Sequence, residues 1–165
     1  SDLFFAGMRP AVNVGLSVSR VGGAAQTKAM KKASGSIRID LAQYREMEVF
    51  TQFSSDLDEA TKAQLTYGSC LMELLKQPLC SPLKLHEQVI TLWAATHKAF
   101  VHVETKKIKQ YQKELLEYFD NVYPEVGREI NESKQLSDEL GEKILQVADE
   151  FRDRAEEFRS RSAAE

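Results

Sequence analysis

The chain has 165 residues, 42% of them apolar and 28% charged, which suits one compact domain with a solvated surface. Its net charge of −3 argues against nucleic acid as the main partner, because phosphate binding needs a concentrated basic face. It has only two cysteines and no uninterrupted apolar run of about 18 residues, which argues against a disulfide scaffold and a membrane-spanning helix.

The first element along the chain is an alternating segment at residues 10–19. Valine or leucine occupies every second position from 12 to 18, and this period of two predicts a strand or an extended segment. Arg20 follows, and Gly22-Gly23 is predicted to end the pattern as a loop. A strand has no pairing partner in the rest of the chain, so we expect its partners in sequence that lies outside it.

The chain after about residue 24 is predicted to be helical. Residues 25–50 carry apolar side chains at helical spacing, with a kink expected near Ser34-Gly35. A second helix is predicted to begin with Asp56 as its N-cap and Glu59 as the capping-box partner. It is predicted to end before Pro78.

Three further helices are predicted in the second half of the chain. One follows Pro82, another runs from Lys106, and Pro124 interrupts or ends the latter. The last begins near Ser137, with acidic residues in its first turn that favour the helix dipole. The predicted fold class is therefore all-α, a bundle of four or five helices preceded by a short extended segment.

Most catalytic motifs are missing from the sequence. No glycine loop ends in Gly-Lys-Ser or Gly-Lys-Thr, and no glycine-rich dinucleotide motif occurs. His86-Glu87 begins like a zinc-protease motif, but position 90 is isoleucine, so no metal site is predicted. A hydrolase that uses Ser17 is an alternative, since residues 15–19 match four of the five positions of a nucleophile elbow, but the final glycine is absent. We therefore expect no catalysis by this chain alone.

Arg20 has the most informative setting of any charged residue. It follows the alternating segment, among small residues and beside Gly22-Gly23, so its guanidinium is presented outward with little steric cover. A guanidinium is always charged, and its planar fork of donors suits phosphate oxygens. From spacing alone, a merely solvated arginine remains the more common alternative.

The residues around Arg20 resemble a known family. The run from Arg9 to Thr27 reads RPAVNVGLSVSRVGGAAQT, and it is similar to the alpha subunit of F-type proton-translocating ATP synthases. The similarity covers nearly the whole chain, densely to residue 60 and more loosely after 90. It continues through residues 41–46, 52–53, 55–58, 73–77, 81–82 and 87–89.

The resemblance implies how the chain is organised. Residues 1–24 would be the tail end of a nucleotide-binding domain, and residues 25–165 would be a C-terminal helical domain. A β-barrel domain and the phosphate loop would precede them in a longer subunit. That subunit would be regulatory and structural in a complex that couples ATP synthesis to proton transport.

The resemblance also implies roles for individual residues. Arg20 matches an arginine finger inserted into the catalytic site of the neighbouring beta subunit, with Val18 and Ser19 flanking the contact. A preplaced guanidinium stabilises the charge that is spread over a transferring phosphoryl group. Arg9 and Pro10 match residues near the adenine of the alpha subunit's own non-catalytic nucleotide.

Two positions after the second predicted helix bear on the same adenine. Gln77 matches one of two glutamines that line the adenine pocket in the family. Leu79 stands at the position of the second, and leucine has no group that hydrogen-bonds an adenine edge. The stretch from Trp93 to Val103 also departs from the family's usual pattern.

The implied cofactors and partners belong to the whole complex. They are ATP or ADP with Mg²⁺, the beta subunits, the gamma rotor subunit and the delta subunit, and no cofactor is expected for the isolated chain. The complex would lie peripherally on the cytoplasmic face of a bacterial cell membrane. The loop at residues 53–56 either faces the rotor or is a plain capped turn. The alternatives are a stand-alone helical interaction module and a divergent non-catalytic paralogue.

Overall fold

The computed structural model describes residues 2–5, 7–17, 19–51 and 57–162, the side chains of residues 50, 51 and 157–162 excepted. No strand occurs within these ranges, which confirms the all-α fold class. A 3₁₀ turn at Thr105–Lys107 accompanies the α-helices. The α-helices are α1 (Asp2–Phe5), α2 (Arg20–Ala25), α3 (Lys28–Ser34), α4 (Ile37–Thr51), α5 (Glu59–Leu74), α6 (Leu85–Thr96), α7 (Ile108–Val122), α8 (Pro124–Ser133) and α9 (Asp138–Ser162).

The strand considered for residues 10–19 does not form in the described part of that segment. Asn13 Oδ1 instead accepts the backbone N–H groups of Gly15 at 3.1 Å and Leu16 at 3.3 Å. An asparagine side chain offers local amides an alternative to a partner strand and so favours a turn. The local hydrogen bonds of the Asn13 side chain therefore outweigh the strand periodicity of the valine and leucine residues around it.

The glycine pair after Arg20 was predicted to be a loop, and this is wrong. Both glycines lie inside α2, whose N-cap is Ser19. The Ser19 hydroxyl accepts the N–H of Gly22 at 2.9 Å, which satisfies a donor that has no partner within the first helical turn. The cap stabilises a helix that two glycines would otherwise disfavour.

The breaks between the next helices follow local sequence signals. The chain turns between α3 and α4 at Gly35 and the residue after it, which confirms the kink expected near Ser34-Gly35. The N-cap of α5 is Asp58, whose side chain accepts the N–H of Thr61 at 3.0 Å. Asp56, the predicted cap, lies outside the described residues.

Later boundaries agree with the predictions. Pro124 opens α8, where its missing N–H and fixed φ are tolerated. Lys134 then ends α8 in the left-handed conformation, with φ of 56°. The hydroxyl of Ser137 accepts the N–H of Leu140 at 3.1 Å, so the last helix begins where the sequence indicated.

The core centres on α6, which contacts α3, α5, α7, α8 and α9. Val89, Ile90 and Ala94 of α6 are fully buried. Helix α3 buries Ala29 and Ala33, and these short side chains permit a close approach to α6. No helix in the described ranges is long and apolar enough to cross a bilayer.

Two polar contacts fix the ends of α9 and α3. The indole N–H of Trp93 on α6 donates to the carbonyl of Gly141 on α9 at 3.0 Å, where a side chain on residue 141 would collide with the ring. Lys32 on α3 donates to the carbonyl of Leu136 at 2.9 Å and to Asp138 at 2.6 Å. These contacts hold the start of α9 against α6 and α3.

Candidate functional site

Arg20 is the first residue of α2, and its side chain is exposed. Within the described part of the chain, the guanidinium has no hydrogen-bond or ion-pair partner. The positive end of a helix dipole does not attract a cation back toward its own backbone. The Ser19 hydroxyl is occupied as the helix cap, and Val18 lies outside the described residues. The structure thus presents Arg20 outward on a short capped helix rather than on a loop.

The structure brings Arg9 and Gln77 together, although they lie far apart in the sequence. The backbone N–H of Gln77 donates to the carbonyl of Arg9 at 2.9 Å. The Gln77 side chain donates to the carbonyl of Ser81 at 2.7 Å. The Arg9 guanidinium lies 4.4 Å from the centre of the Phe4 ring, a cation–π contact. Pro10 follows directly and is exposed, so three of the predicted nucleotide-contacting residues share one junction.

Leu79 lies close to this junction in the loop between α5 and α6. Its side chain is 93% exposed, the most exposed of the large apolar residues described. Cys80 follows in the left-handed conformation, with φ of 58°. The loop therefore presents an apolar side chain to solvent at the position where the resemblance predicted a hydrogen-bonding one.

A cleft of about 610 Å³ opens beside Gln77, between the end of α5, the following loop, α6 and α7. The amine of Lys109 lines it and donates to the carbonyl of Leu74 at 2.8 Å and to Gln112 Oε1 at 3.0 Å. Burial lowers the pKa of this amine, the Glu73 carboxylate opposes that shift, and Lys76 adds to it. The cleft is not predictable from the sequence, because Lys109 is there one charged position among others on an amphipathic helix.

A histidine and two carboxylates form a second cluster at one end of the cleft. His86 is buried, and its Nε2 lies 3.3 Å from Asp120 Oδ1 of α7. Its Nδ1 lies 2.9 Å from the amide nitrogen of Asn131 on α8. Ligand atoms of His86, Glu87 and Asp120 all lie within 4.8 Å of one another. Helical spacing could not reveal the whole cluster, because His86 and Glu87 belong to α6 and Asp120 belongs to α7.

Cys70 is not available as a nucleophile. It is buried in α5, and this burial raises the pKa of its thiol to about 12. The reactive form of cysteine is the thiolate, which such a pKa suppresses at neutral pH. The candidate chemistry of the chain therefore rests on its exposed cations and on the cleft.

Comparison with known proteins identifies the family. Residues 26–151 match the family described as ATP synthase alpha/beta chain, C terminal domain. The chain is 47% identical to the ATP synthase subunit alpha of Aquifex aeolicus (strain VF5), over 92% of this chain and 30% of that protein. It is 50% identical to that of Petrotoga mobilis (strain DSM 10674 / SJ95), with the same coverage of each.

A third relative gives the same result. The chain is 51% identical to the ATP synthase subunit alpha of Mycolicibacterium smegmatis (strain ATCC 700084 / mc(2)155), over 92% of this chain and 28% of that protein. The chain thus spans less than a third of the length of the relatives it matches. It belongs to the ATP synthase alpha/beta family and carries the C-terminal helical domain of an alpha subunit.

Proposed function

We propose that this chain forms the C-terminal part of an alpha subunit in a proton-translocating ATP synthase and supplies Arg20 to the catalytic site of a neighbouring beta subunit. One observation carries the proposal: in a chain about half identical to alpha subunits, Arg20 is exposed at the start of a capped helix. The chain has no phosphate loop of its own. By resemblance, its arginine acts on a nucleotide at the catalytic site of a neighbouring beta subunit.

The proposed mechanism is electrostatic. The transferring phosphoryl group spreads negative charge over its oxygens, and a guanidinium already in place stabilises that charge at little reorganisation cost. The Ser19 cap fixes the start of α2 and so orients Arg20. By resemblance, Val18 and Ser19 flank the contact that Arg20 makes.

The junction of Arg9, Pro10 and Gln77 is proposed to contact the adenine of a non-catalytic ATP or ADP bound with Mg²⁺ by the whole subunit. Its support is the backbone hydrogen bond that joins Arg9 to Gln77. Gln77 retains a polar side chain beside this junction, whereas Leu79 offers the adenine edge only apolar surface. This nucleotide is therefore proposed to regulate or support the subunit rather than to react.

The partners follow from membership of such a complex. They are the beta subunits, the gamma rotor subunit and the delta subunit, with the complex peripheral to the cytoplasmic face of a bacterial membrane. The loop at residues 53–56, proposed to face the rotor, lies outside the described residues.

The proposal is tested by Arg20→Lys in the assembled complex. Lysine keeps the positive charge but loses the planar fork that contacts two phosphoryl oxygens at once. ATP turnover is expected to fall at least about 100-fold, since arginine fingers contribute about 10³–10⁵ to phosphoryl transfer. Turnover is measured with a coupled assay on purified complex, and assembly is checked by size-exclusion chromatography.

Arg128→Lys is the matched control. Arg128 is an exposed arginine on α8, so the same chemical change there should leave turnover unaltered. If the Arg20→Lys complex assembles and turns over ATP at the unsubstituted rate, Arg20 is not the finger.

A further inference from the structure

We propose that His86, Glu87 and Asp120 bind a divalent transition-metal ion, with Zn²⁺ as the representative case. The three side chains supply one imidazole nitrogen and two carboxylate oxygens. A neutral imidazole and two carboxylates carry two negative charges, which one divalent ion balances. Three protein ligands with water in the fourth position is an established arrangement for zinc.

The ligand atoms are close enough to share one ion after a small adjustment. They lie within 4.8 Å of one another, and His86 Nε2 is already 3.3 Å from Asp120 Oδ1. Zinc bonds to nitrogen and oxygen of about 2.0–2.2 Å place neighbouring ligand atoms about 3.4 Å apart. The Asp120 side chain is 48% exposed and free to rotate toward the ion.

The imidazole nitrogen that does not face the ion has a hydrogen-bonding partner, as is usual for metal-binding histidines. Asn131 contacts His86 Nδ1 at 2.9 Å, and its amide can present either nitrogen or oxygen there. With the oxygen facing Nδ1–H, the Nε2 lone pair points at the carboxylates and is available to the ion. Gly127 packs against the ring, where an added Cβ would lie 2.9 Å from it. The ring is thus fixed by two residues of α8.

The second oxygen donor is also positioned by the backbone. Glu87 Oε2 accepts the N–H of Lys84 at the start of α6, which holds the carboxylate at the helix end and leaves its other oxygen for the ion. Glu87 and Asp120 both line the 610 Å³ cleft, which gives the ion a path from solvent and room for a water ligand. The set contains no thiolate, which disfavours Cu(I), and too few oxygens for Ca²⁺.

The expected consequence is that the ion cross-links α6 and α7. Glu87 and His86 belong to α6, Asp120 to α7, and Asn131 reaches the site from α8. An ion bound to the folded arrangement and not to the unfolded chain stabilises the bundle by mass action.

The test is calorimetric titration of Zn²⁺ into the full chain after removal of metals with a chelator. All measurements use the Cys80→Ser chain as the background, because an exposed thiol is itself a metal ligand and would add a second site. One ion per chain is expected. Asp120→Asn, which keeps the shape and loses the anionic ligand, is expected to weaken the affinity about 100-fold.

Glu117→Gln is the matched control, since Glu117 lines the same cleft one turn before Asp120 and is not among the proposed ligands. It removes the same charge and should change the affinity less than about threefold. Zn²⁺ should also raise the melting temperature of the background chain and not that of Asp120→Asn. Circular dichroism establishes that each variant is folded. The proposal is overturned if the background chain binds no zinc, or if Asp120→Asn binds it as tightly as the background.

Discussion

Gly68 allows the close packing of α4 against α5. A Cβ built on residue 68 would lie 2.2 Å from Cδ2 and 2.5 Å from Cβ of Tyr44. The Cβ of Tyr44 is bonded directly to the backbone, so rotation of the tyrosine ring does not relieve this collision. A side chain at residue 68 therefore forces the two helices apart.

Gly68→Ala is expected to lower the free energy of unfolding by about 1–3 kcal/mol, the usual cost of overpacking a tight contact, less any gain in helix propensity. Urea denaturation followed by circular dichroism measures the change. Gly23→Ala is the control, because a Cβ there meets nothing within 4 Å and adds only helix propensity. Equal stability of the Gly68→Ala and unsubstituted chains would contradict the packing argument.

At the residue scale, the sequence predicts roles for residues that belong to contiguous segments resembling the family. The roles of Arg20, Arg9 and Gln77 stay predictions, and the bond between Arg9 and Gln77 is consistent with one shared site for the latter two. The pairing of His86 with Asp120 was not predictable, because a side chain reaching across helices leaves no periodic trace in the sequence.

The carboxylate of Glu150 connects α7 and the start of α8 to α9. It accepts the hydroxyls of Tyr118 and Tyr123, each at 2.6 Å, and pairs with Arg154. The hydrogen bond from Tyr118, and after it the one from Tyr123, lowers the pKa of Glu150 below its ordinary value of 4.5. Burial and the bond to Glu150 raise the pKa of Tyr118 to about 12. The two phenol hydrogen bonds are therefore stronger to the anionic carboxylate than to the neutral carboxyl.

Glu150→Gln is expected to destabilise the chain at neutral pH and to have less effect in acid. A carboxyl with a lowered folded-state pKa contributes stability above its unfolded value of 4.5, and this contribution disappears as the pH falls through the folded-state value. Urea midpoints measured between pH 7 and pH 3 should therefore converge for the two chains. Glu142→Gln, at an exposed position on α9, is the control. A difference that stays constant with pH would contradict a stabilising role for the charged Glu150 carboxylate.

At the element scale, the later helices were predictable because their apolar residues recur at helical spacing and proline or serine marks their ends. The N-terminal elements were not. The valines of residues 10–19 have strand periodicity, yet the amides of Gly15 and Leu16 bond to the Asn13 side chain instead. Ser19 likewise stabilises a helix through the glycines that indicated a loop.

At the scale of the whole molecule, the hydrophobic side chains of the N-terminal residues are less buried than those of the later helices. Among the described residues before Ala29, Met8 is the only hydrophobic side chain in the buried core. Large apolar side chains in the same stretch are exposed, namely Phe4, Phe5, Val12, Leu16 and Val21. The division between residues 1–24 and 25–165 stays a prediction, and it has an experimental consequence.

Removal of residues 1–24 is expected to leave a cooperatively folding bundle whose melting temperature falls by about 5 °C or less. The loss comprises the buried Met8 side chain and a few polar contacts, such as Arg45 with Asn13 at 2.7 Å. About 1 kcal/mol shifts the melting temperature of a chain this long by about 2–4 °C. Removal of residues 1–34 is the contrasting variant. It deletes α3 with its buried Ala29 and the contact from Lys32 to Asp138, so α6 loses a wall of the core. Differential scanning calorimetry distinguishes the two, and a shorter deletion as damaging as the longer one would mean that residues 1–24 belong to the bundle.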